Sequence, residues 1–134
     1  MFKLIKILNS GVNVPEISKL EKPSSLKIKR GSALILNGGL ASNCSETQAP
    51  AYIAISDADN GTEEVVCHAV NSDMLFETTV NASPEALLIG NKVTLGKDSD
   101  SNVCCVSATT ASGVATIVDL MGAGKSGDKI TVKF

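Results

Sequence analysis

Tryptophan is absent from this 134-residue chain, and aromatic residues make up only 3% of it: Phe2, Phe76, Phe134 and Tyr52. A core must therefore be built from Val, Ile, Leu and Ala. A surface that stacks sugars on exposed rings is poorly supplied. Histidine occurs once, as His68, so two-histidine metal motifs such as H-E-x-x-H are excluded. The cysteines, Cys44, Cys67, Cys104 and Cys105, lack the paired spacing of a zinc site. Cys104 and Cys105 are adjacent, and neighbours on a strand point to opposite faces, which argues against a shared metal. No metal and no cofactor are expected. Long apolar runs are also missing. The opening "MFKLIKILNSG" is interrupted by Lys3 and Lys6 and is too short for a signal sequence or a membrane span. Reduced thiols in a cytoplasmic product are the expectation. Positive charge is not in excess: 12 Lys and Arg against 14 Asp and Glu give a net charge of -2. That balance argues against broad nucleic-acid binding, which depends on phosphate neutralisation.

Hydrophobic residues make up 43% of the chain, enough for one domain with a sizeable core. They fall in short runs rich in β-branched residues, bounded by Gly, Asn, Asp, Ser or Pro. Strands are expected at Phe2–Leu8, in "LKIKRG", "SALILNGG", "AYIAIS", "TEEVVCHAVN", "SDMLFETTV", "KVTLG", "NVCCVSA", "GVATIVDL" and "DKITVKF". In "LKIKRG", Leu26 and Ile28 face inward and Lys27 and Lys29 outward. "LASNCSETQAP" reads as a polar loop. One short helix is expected, with Ser83 as cap, Pro84 in the first turn and an end near Gly90. The fold class is all-β, or β-rich with that helix, as a small barrel or sandwich. Residues 1–25, with Pro15 and Pro23, read as an N-terminal strand and extended arm, and residues 26–134 as the β-barrel domain.

The fragment "GAGKSGD" at 122–128 ends like a phosphate-binding loop. The full pattern needs a glycine where Asp119 stands, and a helix immediately after. The alternation of Ile130, Val132 and Phe134 indicates a strand instead, so the fragment reads as a turn. His68 beside Cys67 cannot form a nucleophile pair along one strand, because the two side chains face opposite sides. Another cysteine approaching across the sheet stays open. Asp57, Asp59, Glu63 and Glu64, like Asp98 and Asp100, read as solvated turns, since neither group matches a calcium loop. Lys19, Lys22, Lys27, Lys29 and Arg30 read as a solvated strand edge, with an anion-binding strip as the alternative. Nothing here favours an enzyme.

Three consecutive segments, "GSALILNGG", "APAYIAISDADNGTE" and "EVVCHAVNSDMLFETTV", resemble the head decoration proteins of lambda-like tailed bacteriophages. The likeness is a pattern of strands and turns, not of reactive residues. It covers about Gly31 to Val80, and the chain departs from it afterwards. The resemblance implies a capsid decoration, or cement, protein that binds the outside of the phage head through the major capsid protein. It also implies a homo-oligomer, often a trimer, with no nucleic-acid or membrane partner. Phe2, Leu4, Ile5, Ile7 and Leu8 are then the expected apolar contacts to the capsid or a neighbouring subunit. If they form an arm, deleting residues 1–12 abolishes head binding and leaves the β domain folded. If Phe2–Leu8 is an integral strand, the same deletion unfolds the domain. Other phage virion components, such as a tail or connector protein, and a non-catalytic binding module are the alternatives.

Overall fold

The structure, a computed structural model, describes residues 1–8, 15–81, 87–97, 104–122 and 126–134, and every structural statement below refers to these. The regular elements are strands: β1 (Lys3–Ile7), β2 (Ile17–Glu21), β3 (Ala33–Asn37), β4 (Leu40–Asn43), β5 (Tyr52–Ala54), β6 (Glu64–Ala69), β7 (Met74–Thr79), β8 (Lys92–Val93), β9 (Leu95–Lys97), β10 (Cys104–Val106), β11 (Ala115–Leu120) and β12 (Lys129–Lys133). Among the described residues there is no helix. The expected helical turn at Ser83 and Pro84 lies outside them.

The strands form two five-stranded sheets, ordered β1-β7-β12-β11-β8 and β2-β6-β5-β3-β4, with β9 and β10 as a separate pair. Every ladder is antiparallel. Neither sheet closes into a barrel, so the all-β fold takes the sandwich-like form of the two expected. The edges β2 and β4 of the second sheet still approach each other, which curls that sheet.

The curl creates two cores. Met74, Phe76, Val93, Ile117, Ile130 and Val132 of the first sheet pack with Ala33 and Ile53 of the second. Inside the curled second sheet, Ile28, Leu34, Ala41, Ala54, Val65 and Cys67 form another cluster. Side chains alternate between the faces of a strand. Ala33 and Leu34 therefore serve different cores, as do Ile53 and Ala54. Each fully buried Ile, Val, Leu or Phe contributes about 1.5–3 kcal/mol relative to exposure.

The first 25 residues contribute one strand to each sheet. β1 pairs with β7, and β2 pairs with β6 from Ile17 opposite His68 to Glu21 opposite Glu64. Both ends of β1 are fastened: Phe2 N–H donates to Gly31 O at 3.1 Å and Leu8 N–H to Asp73 O at 2.8 Å. Gly31 has φ 78°, and a Cβ there would lie 2.8 Å from Phe2 N. Only glycine lets the two segments approach this closely without strain.

Three expectations are corrected. The segment "LKIKRG" is not a strand: Ile28 is buried, but it makes only an isolated bridge to Ala58. The supposed loop "LASNCSETQAP" opens with β4, because Gly38 and Gly39 both take positive φ, 60° and 86°. That is the two-residue turn geometry that folds a strand straight back on its neighbour. Lys22 is not on a solvated edge. It is only 3% exposed, and its ammonium donates to the carbonyls of Leu26 at 2.7 Å, Asp59 at 3.1 Å and Pro23 at 3.3 Å. Sharing one charge among three carbonyls replaces the water that burial removes.

Candidate functional site

β1 is the outer strand of the first sheet, and its five expected contact residues divide into two groups. Phe2 is buried, and Leu4 and Ile7 pack against the first core. Ile5 and Leu8 are 46% and 48% exposed. The register explains Ile5. Leu4 stands opposite Phe76 and Lys6 opposite Leu75, so Ile5 is an extra residue in a β-bulge. A bulge on an edge strand discourages indiscriminate ladder pairing and re-aims a side chain. The result is an outward isoleucine at the sheet edge, with Leu8 beyond the end of the strand.

A cleft of about 680 Å³ separates the second sheet from the β9–β10 pair. Lys27, Lys29 and Lys97 line it with Glu46, Cys44 and Cys104. Burial pushes the Cys44 thiol up from 9.0 to about 12, and the neighbouring Cys104 adds to the shift. Cys104 is also raised by burial, against the lowering effect of a hydrogen bond from the Ala33 backbone.

A second cleft, of about 390 Å³, lies between the start of β1 and strands β5 and β6, and includes Arg30 and His68 in its lining. The His68 Nδ1 atom is buried without a hydrogen-bond partner. Cys67 lies on the opposite face, inside the second core, where burial raises its thiol to about 11. The structure therefore does not bring Cys67 and His68 together as nucleophile and base, and no cysteine lines the His68 cleft.

Asp57 accepts a hydrogen bond from Arg30 N–H at 2.8 Å, while Asp59, Glu63 and Glu64 are exposed. Among the described residues, no group of three or more His, Cys, Asp or Glu side chains is placed to hold a metal ion. Asp98 and Asp100 lie outside them, as do Gly124 and Lys125 of the glycine-rich fragment. That fragment joins two paired strands, β11 and β12, and the strand Lys129–Lys133 follows it where a nucleotide loop would need a helix. The buried Lys22 and the shared cleft of Cys44 and Cys104 carried no signal in the sequence, because topology alone assembles them.

The geometry defines an all-β, two-sheet protein with an exposed, bulged edge strand. No protein-family model matches the sequence, and no curated protein does. Among solved structures, the fold is similar to the crystal structure of the head fiber N base in bacteriophage phi29, with a TM-score of 0.53. That similarity covers 89% of this chain and 94% of the phage chain at 14% sequence identity. At this identity the likeness is one of fold.

Proposed function

We propose that this chain is a structural component of a phage head that seats on the outer capsid surface and stabilises it. The observation that carries the reading is the correspondence of nearly the whole chain with nearly the whole of a phage head fiber base. The strand pattern of Gly31 to Val80, similar to lambda-like decoration proteins, supports the same reading. The reading involves no catalysis and no cofactor. Its partner is the major capsid protein, and it acts as a homo-oligomer, a trimer by analogy with the decoration proteins.

The exposed pair Ile5 and Leu8 forms the contact in this reading, held outward by the bulge while Phe2, Leu4 and Ile7 root the strand in the core. Because each side chain is already about half covered, covering the rest at an interface is worth about 1 kcal/mol each before the costs of association. Several copies on a repeating lattice multiply that modest affinity. The test mixes the purified protein with expanded, undecorated heads of its phage and follows sedimentation and cryo-electron microscopy. Wild type gives saturable density at regular symmetry positions, and the variant Ile5→Asp with Leu8→Asp stays folded and in the supernatant. Absence of wild-type density on the heads overturns the reading. The fiber-base likeness supports a second reading, in which the domain mounts a projecting appendage. Density extending well beyond the domain in intact virions would select it.

A further inference from the structure

Cys44 and Cys104 are far apart in sequence but converge on one residue. Cys44 N–H donates to Ala33 O at 2.9 Å, and the Ala33 N–H faces the Cys104 sulfur. In a hydrogen-bonded antiparallel pair, two opposed residues exchange both N–H···O bonds. Here Cys44 makes one of them, and the Cys104 thiol meets the donor that the other would use. That places the Cys104 sulfur beside Cys44. Both residues line the same cleft and pack against the same core. Cys67 belongs to the other core, and Cys105 is fully buried, pointing away from its neighbour along the strand.

We propose that Cys44 and Cys104 are a disulfide-forming pair, closed by a small-molecule disulfide such as oxidised glutathione. The Cys104 thiolate attacks one sulfur of the oxidant, breaking its S–S bond and releasing one thiol. The Cys44 thiolate then attacks the Cys104 sulfur of the mixed disulfide and releases the second thiol. Two protein thiols lose their protons, one S–S bond forms, and the oxidant is reduced to two thiols. Lys27, Lys29 and Lys97 around the cleft attract an anionic oxidant of this kind. The raised thiols keep the thiolate fraction small at neutral pH, so closure is slow there and accelerates as pH rises. The bond would tie the end of β4 in the second sheet to β10, closing a long loop across two separately assembled parts. The inference is independent of the capsid reading, since it rests on the packing around Ala33.

The test incubates the full chain with oxidised glutathione and maps its peptides without reduction by mass spectrometry. The expected result is a Cys44–Cys104 linked peptide and a rise in Tm of about 10 °C. A reducing agent reverses both. Cys67→Ala retains the link, and Cys44→Ala lacks it. If both thiols remain open to alkylation after denaturation, the proposal fails. It also fails if only glutathione adducts accumulate or if the link joins Cys67 or Cys105. The mapping of wild type decides the matter even if a variant does not fold.

Discussion

The ring of Phe2 meets the ring of Phe134 nearly edge-on, with centroids 5.3 Å apart, and Phe134 leans on Phe76 at 5.6 Å. These three are every phenylalanine in the chain. They bind together the edge strand, the middle of the first sheet and the last residue. Phe2→Ala should destabilise the protein by about 3–5 kcal/mol. A double-mutant cycle with Phe134→Ala should show coupling of about 1 kcal/mol. Urea unfolding of the four proteins measures both. Deleting residues 1–8 removes the whole strand and should leave no cooperative transition from the first sheet.

Lys22→Met keeps the length of the stem and removes the ammonium. The carbonyls of Leu26 and Asp59 then lose a charge-assisted donor in a place water reaches poorly. A loss of about 2–4 kcal/mol is expected, seen as a lower urea midpoint. An equal substitution at exposed Lys19 should change stability by less than about 0.5 kcal/mol.

The buried thiols make the fold sensitive to alkali. Cys44 ionises at about 12 in the folded protein against an ordinary value of 9.0, and Cys67 at about 11. The unfolded chain therefore releases these protons first as pH rises. Their contribution is complete below pH 9.0 and is lost progressively toward the folded values. Thermal melts taken from pH 9.0 upward should show falling Tm in wild type and a shallower fall in Cys44→Ala.

Glu77 behaves in the opposite sense. Its carboxylate accepts a hydrogen bond from Lys129 at 2.9 Å. That bond is the main cause that lowers its pKa from 4.5; burial opposes it, and the charges of Lys129 and Lys3 add smaller lowering effects. The stabilisation is present above 4.5 and disappears as acid protonates the folded carboxylate. Glu77→Gln should flatten the acid limb of a Tm profile in that window. Added salt should shrink the difference, because the Lys129 side chain is 61% exposed.

Most strand content was legible, β2 and β4 excepted, because β-branched alternation survives folding: Val65 and Cys67 share one face of β6, and β12 carries buried Ile130 and Val132 between exposed lysines. Opposite facing of Cys67 and His68 followed from the same rule. Sheet membership was not legible. Whether "FKLIKIL" is an arm or a strand depends on a partner more than sixty residues away, and no local spacing encodes that pairing. Lys22 misled for a related reason. In sequence it is one of five basic residues; the carbonyls of Pro23 and Leu26 are local, but the third, from Asp59, arrives only with the return of the 57–61 turn. The bulge at Ile5, which decides which apolar residues reach the surface, arises from one extra residue relative to β7 and leaves no compositional mark.

The lone tyrosine sits against the second core, whereas all the phenylalanines belong to the first. With tryptophan absent, emission excited at the tyrosine band comes from one half of the molecule alone. The protein thus carries a built-in optical label. Tyrosine fluorescence follows the curled sheet, while amide absorption follows both sheets. Whether the halves melt as one body or in sequence can be read from unmodified protein in a single cuvette.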